Sequence, residues 1–285
     1  MSTFRGQDQP ALPPIPPSQS FISFPVFLVC QPHLPIMAPL GSSTQGVPMA
    51  TTLHATQAML DAHHRDGAKF AQMMIESFHH RFGDAFWSDW DRLIGPVLPE
   101  QPTLIDLGSG PGMLVQALGK RYQGGKVYGV ECAPYMLEAQ VDMPVGCEIL
   151  VADLHDPKLP LPDNSVDAAM ASVVLHEMTQ PIRALQEVFR CLKPGGRMFV
   201  LDWVRAPLAR YVEAQTTEEA VFGPEATTES LDDLFTHFIE HNRFTWEDLV
   251  YICQKVGFTV REATVMRMGR YARLIIEKPQ PEEAP

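Results

Sequence analysis

Basic residues are scarce in this chain: 22 Lys and Arg stand against 34 Asp and Glu, and they form no cluster. A net charge of −12 counts against a nucleic-acid or anionic-membrane partner held by a general basic surface, because phosphate binding draws on Lys and Arg. Cysteine is sparse too. The five thiols (Cys30, Cys132, Cys147, Cys191, Cys253) are odd in number and include no C-x-x-C pair. That excludes a disulfide framework or a cysteine zinc site and points to reduced thiols in a cytoplasmic setting. No apolar run is long enough to span a bilayer. The best candidate, FISFPVFLVCQPHLPIMAPL at 21–40, is cut by Pro25, Pro32, Pro35 and Pro39, and its apolar core is too short. It also lacks the basic n-region and small-x-small cleavage site of a signal peptide. No H-E-x-x-H motif is present either. His63-His64, His79-His80 and the i, i+4 pair His237 and His241 each lack a third ligand in sequence reach, so no metal site is expected.

What is there divides unevenly. Residues 1–48 hold ten of the 26 prolines and only two charges, Arg5 and Asp8, which predicts a disordered segment outside the fold. Met49 stands where ordinary sequence begins and is a candidate start. From 49 to 98 the pattern is helical. KFAQMMIESFHHRF sets Phe70, Met73, Met74 and Phe78 at i, i+3, i+4 and i+8, and DAFWSDWDRLIGPVL adds Phe86, Trp87, Trp90 and Leu93 before Gly95-Pro96 stops it.

The rhythm then changes. TLIDL (103–107), KVYGVE (126–131), CEILVAD (147–153), VDAAMASVVL (166–175) and RMFVLDW (197–203) have strand character, with helices starting near Pro111, Pro134 and Pro181. Strand and helix alternate at βαβ spacing, so residues 99–285 are expected to form an α/β, Rossmann-like doubly wound sheet. Residues 204–243 interrupt it as a lid insertion, carrying one amphipathic helix around 229–241. Thr245 to Asp248 forms a capping box for a helix that Gly257 closes. Two final strands around Gly269 read as a hairpin, which makes the last strand antiparallel in a mostly parallel sheet with an N-terminal helical extension.

The stretch TLIDLGSGPGML puts Gly108, Gly110 and Gly112 on alternate positions directly after the first strand. Glycine is costly to order, so three in such a row imply a tight turn and the close approach of a ligand to backbone. An acid at the end of the second strand, Glu131, has the position that accepts from ribose hydroxyls. Dinucleotide sites use G-x-G-x-x-G, and here Met113 stands where the third glycine would be.

The spacing D-L-G-S-G-P-G resembles motif I of class I S-adenosylmethionine-dependent methyltransferases. VYGVECAPYMLEAQ, VADLHDPKLPLPDNSVD, VLHEM and CLKPGGRMFVLDW are similar to the later blocks of that family, in order and spacing. Within it the chain looks most like the small-molecule branch similar to quinone-biosynthesis enzymes. The resemblance implies S-adenosylmethionine as cofactor, bound by Asp106, Gly108, Ser109, Gly110, Gly112, Glu131, Cys132, Asp153 and Leu154. Asp106 would orient the turn or meet the ammonium, Glu131 would take both ribose hydroxyls, and Asp153 the adenine amine. Cys132 and Leu154 would pack on the ring. It also implies a small-molecule methyl acceptor, walled by 49–98 and 204–243. An RNA or protein methyltransferase and a silent S-adenosylmethionine-binding protein are the competing readings, and oligomeric state stays open. His176, just past the fourth strand, is the candidate general base, assisted by Glu177; the alternative is a histidine that only shapes the pocket or caps the next helix.

Overall fold

The computed structural model describes residues 49–64, 66–207, 209–210, 228 and 244–281. The expected disordered segment 1–48, most of the expected lid, and His237 and His241 lie outside them.

Four helices lead: α1 (Met49–His64), α2 (Gly67–Glu76), α3 (Phe78–Arg81) and α4 (Asp84–Leu93). The single apolar stripe expected over 70–78 is broken between α2 and α3 at Ser77, whose N–H reaches back to the Met73 carbonyl at 3.0 Å. The aromatics then divide. Phe86 and Trp90 are buried against Phe199 of the sheet, with ring centroids 5.5 and 6.3 Å away, so they are core rather than ligand contacts. Truncating Trp90, 1% exposed, to alanine would cost about 3–5 kcal/mol.

Seven strands follow in the sheet order β3-β2-β1-β4-β5-β7-β6. They are β1 (Thr103–Leu107), β2 (Lys126–Glu131), β3 (Cys147–Val151), β4 (Val166–Ser172), β5 (Leu192–Trp203), β6 (Thr259–Met266) and β7 (Tyr271–Glu277). Pairings among β1 to β5 are parallel, while β7 runs antiparallel between β5 and β6. β1 and β4 are buried on both faces, as near-continuous apolar runs in a parallel sheet must be. Helices α5 (Met113–Arg121), α6 (Pro134–Glu138), α7 (Ile182–Cys191) and α8 (Trp246–Val256) join the strands or flank them. α8 carries the expected capping box: Asp248 N–H donates to Thr245 Oγ1 at 3.2 Å, and Thr245 N–H donates to Asp248 Oδ2 at 3.0 Å. Its C-terminal Gly257 has φ 117°.

The fold is the mostly parallel Rossmann-like sheet with an antiparallel last strand. Because the chain runs outward from β1 to β3 on one side and from β4 onward on the other, the order reverses between β1 and β4. Ligands of open α/β sheets bind beyond the carboxyl ends of the strands at such a switch point.

Candidate active site

A cavity of about 1170 Å³ opens at that switch point. Asp106, Gly108, Ser109, Gly110, Glu131, Cys132, Asp153, Leu154 and His176 all line it, so the fold brings these expected site residues together from four strand ends. Gly112 is not among its lining residues.

The glycines differ in what they do. Gly108 has φ 63°, and a Cβ there would lie 2.4 Å from Val174 Cγ2. Gly110 has φ 55°, but a Cβ would meet only Met136 Sδ at 3.7 Å, so this position faces nearly open space in the cavity wall. Gly112 has φ 85° and would put a Cβ 2.2 Å from Met143 Cε. Gly110 thus leaves open space beside the turn, while at Gly112 the reason for glycine is backbone handedness and packing at the start of α5. The Ser109 hydroxyl packs over Gly129, where an added Cβ would stand 2.6 Å from its Oγ.

The acids are already busy. Glu131 Oε1 accepts from the N–H groups of Cys132 and Ala133 at 2.7 and 2.8 Å, and Oε2 accepts from Gly110 N–H at 2.9 Å. A carboxylate has roughly four lone-pair sites. Three of them are engaged by backbone here. Burial raises the Glu131 pKa, against these three bonds. Asp153 Oδ1 accepts from the backbone N–H of His155 at 2.9 Å and lies 3.0 Å from its Nδ1, and Oδ2 accepts from Thr56 Oγ1 at 2.7 Å. Burial works against its charge, but the bonds from His155 and Thr56 hold the Asp153 carboxyl below the usual range. Asp106 shifts the other way. Burial, with the neighbouring Glu131 charge and despite Arg81, pushes it up to about 8. Burial also pushes the Cys132 thiol up to about 12, as befits a packing side chain rather than a nucleophile.

His176 sits in the 3₁₀ turn Leu175–Glu177 and is buried. Its Nδ1 meets Asp202 Oδ1 at 2.6 Å, and its Nε2 lies 3.3 Å from Glu177 Oε1. Burial lowers its pKa, but the two carboxylates outweigh burial and carry it up to about 9. Both ring nitrogens thus lie against carboxylates. The structure places this ring in the cavity wall, where the base and the pocket-shaping readings both expect it.

Several cavity features were missed. From α1, Thr56 reaches Asp153 and Gln57 donates to the Cys132 carbonyl at 3.0 Å, so the helical segment closes over the end expected to hold the adenosine. Arg81 in the cavity wall has an Nε without a hydrogen-bond partner and sets its charge against Asp106. Asp202, fully buried at the end of β5, accepts from Leu175 N–H and Trp203 N–H at 2.7 Å each besides holding His176. Val173, a β-branched residue at φ 56°, marks strain where β4 enters the site.

Residues 105–200 match the family model described as methyltransferase domain. Over that stretch the chain is similar to a methyltransferase domain. Members of this class use S-adenosylmethionine as methyl donor. A demethylmenaquinone methyltransferase of Thermus thermophilus is 32% identical to the chain over 124 residues, 41% of this chain and 54% of the relative. A ubiquinone/menaquinone biosynthesis C-methyltransferase of Chromobacterium violaceum is 33% identical over 117 residues, 39% of this chain and 47% of the relative. The chain spans about half the length of the curated relatives it matches. Phosphoethanolamine N-methyltransferase 2 of Haemonchus contortus, solved with S-adenosyl-L-methionine, superposes with TM-score 0.56 at 14% identity, covering 79% of this chain and 60% of that one. That likeness concerns the fold alone. Among the described residues no helix is long and apolar enough to cross a membrane.

The residues present suit this donor. A sulfonium nucleoside has an ammonium for Asp106, a ribose hydroxyl for the remaining Glu131 site, and an adenine amine for Asp153 Oδ2. Gly110 leaves a gap beside the turn that a side chain would fill.

Proposed function

We propose that this chain transfers a methyl group from S-adenosylmethionine to a small, partly apolar acceptor. The observation that carries the reading is a cavity of about 1170 Å³, whose wall runs from the strand-end acids to Phe70, Met73, Met74, Phe78 and Phe82 of the N-terminal helical segment. Pockets for one small ligand usually occupy roughly 300–1,000 Å³, and this one lies above that range. Relatives named for quinone methylation support a small-molecule acceptor.

Methyl transfer from a sulfonium is an in-line displacement with a good leaving group already in place. The protein's task is to hold donor and acceptor in line and to keep water out. Asp106 and the Gly108–Gly110 turn hold the methionine end, Glu131 the ribose, and Asp153 with Cys132 and Leu154 the adenine. His176, fixed by Asp202, orients Glu177 at the acceptor end. The buried free thiols Cys132, Cys191 and Cys253 fit a reducing compartment, the cytoplasm.

Methyl-labelled S-adenosylmethionine, incubated with the protein and metabolite extract, RNA or protein in parallel, tests the reading. Label is expected in the small-molecule fraction. Label in RNA or protein would favour a macromolecular acceptor, and donor binding with no label anywhere a silent binding protein.

A further inference from the structure

The adjacent histidines at the end of α1 have no third ligand within sequence reach, but the fold supplies one. Among the described residues, His63, His64 and Glu177 each offer a ligand atom, and these atoms lie within 4.8 Å of one another. We propose that His63, His64 and Glu177 form a binding site for one divalent first-row transition-metal ion, of the zinc class, at the acceptor end of the cavity.

Two imidazoles and one carboxylate are the donor set that such ions favour over magnesium or calcium, which prefer oxygen throughout. Successive residues on a helix diverge by about 100°. Here the two rings nevertheless lie 4.5 Å apart, centroid to centroid, where the helix ends, and His63 Nε2 is 3.8 Å from Glu177 Oε2. Ligand atoms around a zinc ion with bonds of about 2.0–2.1 Å stand about 3.3 Å apart, so a small rotation of these side chains closes the site.

The surroundings are those of a held site. His64 Nδ1 meets the Tyr135 hydroxyl at 2.5 Å, and its ring stacks on Phe70 with centroids 4.0 Å apart. Glu177 is backed by His176, which Asp202 orients from beneath. Outer partners of this kind fix the rings and carboxylates of metal ligands. The histidines also occupy the last turn of α1, where the helix dipole favours positive charge.

Three protein ligands leave a fourth position open for water or a substrate oxygen. All three residues line the cavity, so that position faces the space assigned to the acceptor. An acceptor hydroxyl bound there would release its proton to water more readily. The resulting oxyanion, or a carbon conjugated to it, would then take the methyl group as the sulfonium becomes a neutral thioether. This last use rests on the proposed function; metal binding itself does not.

The test is titration of the full chain with Zn²⁺ by calorimetry, and with Co²⁺ followed by its visible absorption. One ion per chain is expected, with the intense bands of a four-coordinate cobalt site. His63→Ala and the conservative Glu177→Gln should each weaken binding by about tenfold or more, and Tyr135→Phe by less. A His79→Ala/His80→Ala double variant, altering a pair outside the cavity, should bind like the wild type. Titration with S-adenosylhomocysteine in the same samples shows that each variant is folded and reports on the donor site independently of the metal. Absence of a one-to-one cobalt spectrum, or equal affinity in the wild type and Glu177→Gln, would overturn the assignment and leave His63–Glu177 as an ion pair closing α1.

Discussion

Thr56 Oγ1 donates to Asp153 Oδ2 at 2.7 Å across 97 residues of sequence, tying α1 to the strand end assigned to the adenine amine. With Gln57 on the Cys132 carbonyl, this makes α1 a cover over the adenosine end. Donor entry must open that cover, and donor binding should then hold it shut. Amide hydrogen exchange across 53–64 is therefore predicted to slow on addition of S-adenosylhomocysteine. Unchanged exchange there, with saturated donor, would show that α1 is not part of the donor site.

Asp106 sets a pH dependence. Its carboxyl is raised from 3.8 to about 8 by burial, so the folded state holds a proton that the unfolded chain has lost. Stability contributed by this group is full below the ordinary carboxylate range and declines as pH climbs toward 8. Urea unfolding of the donor-free protein should thus show wild type losing stability relative to Asp106→Asn over that interval. The donor ammonium favours the carboxylate, so binding below pH 8 should release a proton, seen as a buffer-dependent heat. A flat pH profile together with no proton release would contradict this account of Asp106.

Gly110 and Gly112 should respond in opposite ways to alanine. Both positions have positive φ, which costs an L-residue roughly 1–2 kcal/mol. At Gly110 the new methyl enters cavity space, whereas at Gly112 it strikes Met143. Gly110→Ala is predicted to lose donor affinity with a modest change in melting temperature, and Gly112→Ala to lose mainly melting temperature. Thermal melts paired with donor titrations check the order, and its reversal would refute the division of roles.

Much of this was legible in the sequence because parallel strands buried on both faces leave uninterrupted apolar runs, and because the glycine turn has a spacing of its own. Asp202 could have been read by the same rule that singled out Asp106, Glu131 and Asp153, an acid at or just past a strand end, but the chemistry of its block drew no attention to it. Thr56 and Gln57 gave no signal, since a polar residue on a helix has its meaning set by what lies a hundred residues away. The roles of Gly112 and Glu131 depend on Met143 packing and on three backbone donors, which only the folded chain brings into place. Position just past β4 singles out His176, but its surroundings are set by Asp202 and Glu177 together.

The central claim is that the strand-end acids hold S-adenosylmethionine, and calorimetric titration of wild type and Asp153→Ala with this donor tests it most directly. The wild type should bind one donor per chain. Loss of a hydrogen bond to a charged group costs about 1.5–3 kcal/mol, so the variant should bind roughly 10- to 150-fold more weakly. No binding by the wild type, or equal affinity in Asp153→Ala, would contradict the site described for this domain.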